Sequence, residues 1–315
     1  MSITAIALFA AALSSRQGST VATVNGEPLT SQTYYRRMEY LPGLGRKTPT
    51  GQFVEILPAI ATLDAMVTEM LLIQIGKQKG LMPTEPETDQ EIAYQLRKNP
   101  NFVTDWQSVG RTMAELRHMV KVDRIQFKIQ TEGIVVTETD IQKSYDAAKD
   151  SRFTVPARVK LRVITVTDAD MKTKVDDGLK AGKTFESLAT EYSTDASKTF
   201  GGDFGVVPID LLGDQVKTAI KALKKGERTD WLSSDKIFAK FQVEALLPVS
   251  VIPLDASIKE DLRRELMIIK GSSRVDMGKL LRDARQNAKI SITSPEIDKA
   301  YKQFIGLEKS DKSGG

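Results

Sequence analysis

Apolar residues in the first half of the chain recur mainly at the three- and four-residue spacing of helices. Residues 57–78 are so rich in apolar side chains that they predict a helix buried on most sides, and a more polar helix is predicted over residues 84–97. Thr112 and Glu115 have the spacing of a capping box, in which each side chain accepts a hydrogen bond from the other residue's amide. They predict the start of another helix. The Pro- and Gly-containing residues 42–51 predict a loop.

The apolar period changes after Phe153. Leu161 and Val163 alternate with polar neighbours, which is typical of a half-buried strand. A second strand is predicted over residues 237–247, and a long helix is predicted to begin after Asp255. The order of elements is therefore a helical region, a region of mixed helices and strands, and a second helical region.

Short strand patterns lie near both ends of the chain. Residues 21–24 precede an Asn-Gly turn at 25–26, and residues 289–292 also alternate between polar and apolar side chains. Neither segment has an evident partner nearby, and pairing them would satisfy the exposed backbone groups of both. We therefore expect the N- and C-terminal segments to fold together. The helix after Asp255 could then pack on the apolar surface of the helix at 57–78.

Composition excludes several classes of function. The chain has 45 basic and 41 acidic residues in interspersed order, which does not favour a nucleic-acid interface. It contains no cysteine, so disulfides, thiolate metal sites and a cysteine nucleophile are excluded. The single histidine, His118, excludes His-rich metal sites, and we interpret it as structural or solvated. No metal or cofactor is predicted.

The N-terminus carries an apolar run over residues 3–13, which is too short to span a bilayer. It has the length of the apolar part of a signal peptide, and the small residues 10–12 offer a cleavage site, so residues 1–18 are predicted to be an export signal. An uncleaved anchor and a frayed apolar terminus are the alternatives. The polar C-terminal residues 309–315 are predicted to be disordered.

The most informative motif lies in residues 182–226. A short helix signal leads through a polar turn to Gly201-Gly202-Asp203-Phe204-Gly205, an amphipathic helix and a closing Lys-Gly-Glu. The glycines are interpreted as residues that the backbone conformation requires. With its closing Gly-Glu, this stretch resembles the parvulin (PpiC-type) family of peptidyl-prolyl isomerases.

The flanking segments resemble PrsA- and SurA-type foldases. The resemblance rests on VATVNGEPLTSQTYYRRM from residue 21, VTETDIQKSYD from residue 136 and ARQNAKISITSPEIDKAYKQF from residue 284. It implies an α+β fold in which a parvulin-like antiparallel sheet with surrounding helices is inserted into a mostly helical chaperone domain. The implied domains are residues 19–153 and 250–308 for the helical part and residues 154–249 for the insertion.

The resemblance also implies a site. Parvulins use two buried histidines, a cysteine or aspartate, and a methionine and a phenylalanine in the pocket wall. Carried over by position, Asp195 is the catalytic carboxylate, and the substrate-binding positions are Val163, Phe204, Leu212, Val216 and Lys240. Val163 and the region of Lys240 stand where the family has its histidines. Asp195 has a second interpretation, as a turn residue in a Ser-Thr-Asp sequence.

The leading functional prediction is an exported, extracytoplasmic chaperone and foldase with weak or absent prolyl isomerase activity. The expected partners are unfolded exported polypeptides and their proline-containing segments, with no nucleic acid, possible proximity to a membrane and possible homodimerisation. An active isomerase that uses Asp195 and an apolar pocket is one alternative, and a non-catalytic peptide-binding module is another. Four methionines are assigned either to an adaptable groove for unfolded polypeptides or to the core: Met66, Met70, Met113 and Met119.

Overall fold

The computed structural model describes residues 18–40, 44–47 and 53–310. The predicted export signal, apart from Gly18, and the end of the C-terminal tail lie outside the described residues. The chain divides into two compact units. The inserted unit is Thr137–Arg263, and the helical unit comprises the described residues up to Val136 and from Arg264 onward.

Helices and strands are numbered here in chain order over the described residues. The helices are α1 (Ser31–Met38), α2 (Pro58–Lys79), α3 (Glu85–Lys98), α4 (Phe102–Ser108), α5 (Met113–Thr131), α6 (Glu138–Ala148), α7 (Ala169–Lys180), α8 (Phe185–Tyr192), α9 (Asp214–Ile220), α10 (Ala256–Ser272), α11 (Met277–Asn287) and α12 (Pro295–Ser310). The strands are β1 (Thr20–Val24), β2 (Glu27–Thr30), β3 (Leu44–Lys47), β4 (Phe53–Ile56), β5 (Thr154–Val155), β6 (Arg158–Val166), β7 (Asp203–Pro208), β8 (Leu232–Ser234), β9 (Ile237–Leu247), β10 (Ser250–Val251) and β11 (Ile290–Ile292). The α+β fold class is therefore confirmed.

A small sheet joins the two ends of the chain within the helical unit. Strand β1 pairs antiparallel with β2 and with β11, and Ala22 lies opposite Ile292. Asn25 and Gly26 make the β1–β2 turn with positive φ angles of 52° and 86°. The predicted pairing of the N- and C-terminal strands is confirmed.

Helix α2 forms the centre of the helical unit. Leu63 and Val67 are buried, and α11 and α12 pack against this helix, with the Tyr301 ring of α12 also buried. The sequence had suggested the helix after Asp255 as a packing partner, and the structure has α11 and α12 in this role. Among the described residues α2 alone is long and apolar enough to cross a membrane, with a mean hydropathy of 1.4. Core helices of soluble proteins pass the same test, and half of the relevant window is buried here.

Several local predictions differ from the structure. Leu44–Lys47 forms a strand paired with Phe53–Ile56, where the sequence predicted a loop. The short helix Phe102–Ser108 was not predicted, and the last helix extends to Ser310, into the first residues of the tail that was predicted to be disordered. These elements are short or terminal, so their local periodicity is weak.

The inserted unit is built on an antiparallel sheet of strand order β7-β6-β9-β8. One face packs on α7 and α8 through Ile164, Val175 and Leu188. The other face carries Val163 and Phe241 and is covered by the segment around α9. Each strand therefore supplies side chains to two separate apolar layers, because successive side chains point to opposite faces.

The inserted unit is wider than residues 154–249. Strands β5 and β10 pair with each other, and the Tyr145 ring stacks on Phe153 at 4.7 Å between centroids. The Tyr145 hydroxyl donates a hydrogen bond of 2.6 Å to the carbonyl of Ile252. These contacts bring α6 and the residues after β9 into the same unit.

Candidate functional site

The glycine segment is fixed by close backbone contacts in the inserted unit. Gly201 and Gly202 have φ angles of 61° and 78°, which L side chains rarely adopt. A Cβ atom added at Gly202 would lie 2.4 Å from the Val163 carbonyl oxygen. The carbonyl of Gly202 accepts a hydrogen bond of 2.8 Å from the Val163 amide. The glycines therefore serve the backbone conformation, as the sequence predicted.

A charged network on β6 holds this segment from the other side. Arg162 forms an ion pair with Glu244 on β9 and donates a 2.8 Å hydrogen bond to the Gly201 carbonyl. Lys160 lies 2.8 Å from Glu244 and 3.7 Å from Asp203. The hydrogen bond from Lys160 lowers the pKa of the Glu244 carboxyl below its usual range. Glu244 is therefore ionised at neutral pH, and its ion pairs with Lys160 and Arg162 anchor the start of β7.

The opposite face of the sheet is apolar and contains most of the predicted binding positions. Val163 is buried, and Leu212 and Val216 pack against the same cluster. Phe204 lies at the margin of this cluster with 44% of its surface exposed, and its ring meets Phe241 edge to face at 6.1 Å. The structure brings these residues together around Phe241, which the sequence analysis did not name.

Lys240 lies on the other face of the same strand. It is paired with Ile164, whereas Phe241 is paired with Val163 across the two strands. Its ammonium group lies 3.0 Å from Asp176 and 5.2 Å from the centroid of the Trp231 ring. Burial opposes ionisation of Asp176, but hydrogen bonds from Lys240 and Trp231 outweigh it and lower the pKa of this carboxyl. Phe241, and not Lys240, therefore lies beside Val163 on the apolar face.

Asp195 makes local contacts at the end of the turn after α8. Its Oδ1 atom accepts hydrogen bonds from the Ser197 amide at 2.7 Å and from the Ser197 hydroxyl at 2.5 Å. These bonds cap the short 3₁₀ helix Ala196–Phe200. The neighbouring Thr194 amide donates to the Thr165 carbonyl, which ties the turn to β6. This geometry agrees with the second interpretation of Asp195, as a turn residue.

No histidine lies in the inserted unit, because His118 is the only one in the chain and belongs to α5. Its Nε2 atom lies 3.0 Å from a Glu69 carboxylate oxygen, a partner that sequence spacing did not reveal. Among the described residues, no group of three or more His, Cys, Asp or Glu side chains could hold a metal ion.

Comparison with known proteins defines the class of the inserted unit. Residues 136–260 match the family model of the PPIC-type PPIASE domain, also called rotamase. This range agrees with the compact unit Thr137–Arg263. The chain therefore carries a PpiC-type rotamase domain.

Two proteins that are similar over half of this chain or more are PrsA foldases. The foldase protein PrsA of Caldanaerobacter subterraneus is 29% identical over 223 residues, which cover 67% of this chain and 68% of the relative. PrsA of Bacillus subtilis is 31% identical over 170 residues, covering 51% and 54% of the two chains. The chain is thus homologous to PrsA foldases, which confirms the resemblance drawn from its sequence.

A solved structure is similar along most of the chain. It comes from the work on PEB4 and the periplasmic protein Cj1289, two SurA-like chaperones of Campylobacter jejuni. Its TM-score is 0.41 at 19% identity, and the match covers 87% of this chain and 100% of the other.

Proposed function

We propose that this chain is an extracytoplasmic chaperone and foldase with weak or absent prolyl isomerase activity. In this proposal, the inserted unit binds proline-containing segments of unfolded polypeptides at the exposed margin of the apolar cluster that contains Val163, where Phe204 meets Phe241. The homology to PrsA foldases and the PPIC-type domain support the class of protein. The observation that carries the activity level is the apolar cluster itself, which contains Val163 where parvulins have a histidine.

The chemistry explains why such a site would bind better than it catalyses. Rotation about a peptide bond faces a barrier of about 18–20 kcal/mol that arises from amide resonance. A catalyst must therefore bind the twisted amide more tightly than the planar one, and placed polar groups supply most of this difference. An apolar face binds a proline ring in both geometries almost equally. Such uniform binding retains the segment without a large acceleration of its isomerisation.

The proposed binding site has a natural pair of variants. Phe204→Ala removes a ring that contacts Phe241, whereas Phe200→Ala removes a nearby ring that is 74% exposed. We expect Phe204→Ala to weaken binding of a proline-containing peptide to the full chain about tenfold and Phe200→Ala to leave it nearly unchanged. Equal binding by both variants would place the peptide elsewhere.

A proline-limited refolding assay measures the activity level. The full chain should give little or no acceleration of refolding at high concentration, while it slows the aggregation of an unfolded polypeptide without ATP. Strong acceleration that Asp195→Ala reduces would favour an active isomerase instead. Failure to slow the aggregation of several unfolded polypeptides would contradict the chaperone function.

The proposed location outside the cytoplasm rests on the apolar run at residues 3–13 and on the foldase relatives. The membrane proximity and the homodimer expected from the resemblance remain part of this proposal. Fractionation of expressing cells followed by N-terminal sequencing tests the location. A mature chain that begins near residue 19 outside the cytoplasm is expected, and an uncleaved cytoplasmic chain would contradict it.

A further inference from the structure

The helical unit contains a cavity of about 590 Å³, which lies within the size range of ligand sites. It is formed by α1, α2 and the α4–α5 connection with the start of α5. Ala65, Ala114 and Met119 supply apolar lining. The charged lining consists of three arginines, two glutamates and His118, so the cavity carries a formal excess of positive charge.

Two of the three arginines have carboxylate partners. Arg36 pairs with Glu115, and Arg37 lies 2.7 Å from Glu69, which also contacts His118. Burial opposes ionisation of Glu69, but the bonds from His118 and Arg37 outweigh it and lower the pKa of this carboxyl. Both arginines are therefore neutralised within the cavity wall.

Arg111 is the third arginine, and its guanidinium contacts two aromatic rings. The distance from its central carbon is 4.5 Å to the Trp106 ring centroid and 5.0 Å to the Tyr40 ring centroid. No carboxylate of the described residues forms an ion pair with it. Stacking occupies the faces of a guanidinium and leaves the N–H groups at its edge available, in the fork geometry that matches a carboxylate.

The two rings are themselves held in place. The indole N–H of Trp106 donates a 3.0 Å hydrogen bond to the Thr112 carbonyl, and the Tyr40 hydroxyl donates to the Gly110 carbonyl at 3.2 Å. Arg36 donates to the same Gly110 carbonyl at 3.0 Å. The stack is thus built before any ligand arrives, which lowers the entropic cost of binding.

A second, smaller cavity of about 180 Å³ adjoins the first. The two share Arg37, Glu69 and His118 in their linings. Met66 and Met70 line the smaller cavity, so these methionines face a space beside the charged wall as well as the core. Methionine side chains adapt to ligands of irregular shape. The two linings therefore combine charged groups with apolar surface.

We propose that this cavity binds unfolded polypeptides selectively through a carboxylate, which the edge of Arg111 holds while an adjacent apolar side chain enters the cavity. The carboxylate is that of an aspartate or glutamate side chain or of a chain terminus. This inference rests on the proposed function, and it adds a requirement for negative charge that an apolar surface alone would not impose. The guanidinium of Arg111, which has no carboxylate partner among the described residues, is complementary in charge and shape to a carboxylate of the polypeptide.

The chain provides its own reporter for this binding. It has two tryptophans, and Trp231→Phe leaves Trp106 in the cavity wall as the only one. The full chain with this change is titrated with a capped octapeptide that contains Leu-Glu and with its Leu-Gln counterpart. We expect the Trp106 fluorescence to change and the Leu-Gln peptide to bind about tenfold more weakly. A third peptide with no acidic side chain and a free C-terminus distinguishes the two sources of the carboxylate.

Arginine variants show where the selectivity arises. Arg111→Gln should bring the two capped peptides to equal affinity, and Arg111→Lys should restore only part of the preference because lysine lacks the planar fork. Arg97→Gln is the matched control, since Arg97 also stacks on a ring, that of Tyr94 at 4.9 Å, and does not line either cavity. Far-ultraviolet circular dichroism checks that each variant is folded.

Three outcomes would overturn the inference: equal affinity of the Leu-Glu and Leu-Gln peptides, no fluorescence response to any peptide, and selectivity that survives Arg111→Gln. Displacement of the peptide by millimolar inorganic phosphate alone would also overturn it, because it would indicate a general anion site. If the chain slows aggregation but fails these titrations, the proposed chaperone function stands and the carboxylate site is wrong. If the chain binds the peptides selectively but never slows aggregation, the carboxylate site stands and the chaperone function is wrong.

Discussion

The two units of this protein present different surfaces to a polypeptide. The inserted unit has an apolar sheet face around Phe241, and its charged groups on β6 and β9 are paired with one another on the opposite side. The helical unit has a cavity whose wall combines paired charges with Arg111, which lies over the Trp106 ring and has no ion pair to a carboxylate in the part of the chain that the structure describes. The first surface can recognise shape and hydrophobicity, and the second can also recognise charge. In the proposed function, the inserted unit thus binds apolar segments of unfolded chains, and the helical unit binds segments that also carry a negative charge.

The two units can be followed separately because each contains one tryptophan, Trp106 in the helical unit and Trp231 in the inserted unit. The variants Trp231→Phe and Trp106→Phe therefore report unfolding of one unit at a time. Urea titrations of these two backgrounds give a separate free energy of unfolding for each unit wherever the units unfold independently. The predictions below use this pair of reporters.

The largest expected effect concerns a buried carboxylate of the helical unit. Glu91 is 7% exposed and lies 2.7 Å from Arg264 and 3.3 Å from Arg124. Glu91→Ala should lower the free energy of unfolding of this unit by about 3–5 kcal/mol, because it leaves two half-buried cations without this partner. The measurement is urea unfolding followed by Trp106. Glu85→Ala, which removes a 61% exposed side chain from its ion pairs, should cost less than about 1 kcal/mol.

The second prediction concerns the glycine segment of the inserted unit. Gly202→Ala should destabilise this unit by about 3 kcal/mol, because the new Cβ meets the Val163 carbonyl in a left-handed backbone conformation. Gly182→Ala is the control, since Gly182 has a similar φ of 83° but open space around it, and it should cost only about 1 kcal/mol. Unfolding followed by Trp231 measures both. If both variants lower the free energy of unfolding equally, the close contact with Val163 does not contribute to the effect of Gly202→Ala.

The smallest expected effect is a dependence on pH in the helical unit. Hydrogen bonds from Lys128 and the Thr84 amide lower the pKa of Glu87 to about 2. A carboxyl with a lowered pKa in the folded state stabilises that state above its ordinary pKa of about 4.5, and the contribution is lost as the pH falls towards about 2. Glu87→Gln should therefore reduce the loss of stability between these pH values, by less than about 1 kcal/mol because the pair is near the surface.

Lys128→Met is the companion variant for this measurement, because Lys128 lies 2.8 Å from Glu87. It should reduce the pH dependence in the same direction as Glu87→Gln. Unfolding of the Trp231→Phe chain at pH 6 and pH 3 gives the comparison. An unchanged pH dependence in both variants would assign the acid sensitivity to other carboxyls.

Sequence patterns predicted the elements that depend on near neighbours. The capping box at Thr112 and Glu115, the β6 alternation and the pairing of β1 with β11 all appear in the structure. These features follow from the spacing of residues along the chain or from a strand whose backbone groups have no partner nearby. Both can be recognised within a short segment of sequence. Short segments such as Leu44–Lys47 carry too few residues for a clear period and were assigned to a loop.

The candidate site was less predictable because it depends on register. A shift of one residue moves a strand side chain to the opposite face, so the choice between Lys240 and Phe241 depends on which of them pairs with Val163. The contact of Arg111 with the Tyr40 ring joins residues that are distant in the sequence. Likewise, the contact of His118 with Glu69 joins α5 to α2 and has no signature in spacing.

The sequence by itself determined the fold class, the order of the elements, the family resemblance and the lack of a second histidine. Each of these is a property of composition or of short-range pattern, which survives without coordinates. Only the tertiary structure decided that Phe241 faces the apolar cluster and that Arg111 contacts two aromatic rings without an ion pair to a carboxylate of the described residues. These arrangements depend on packing between distant segments, where small differences in register and approach determine which groups meet.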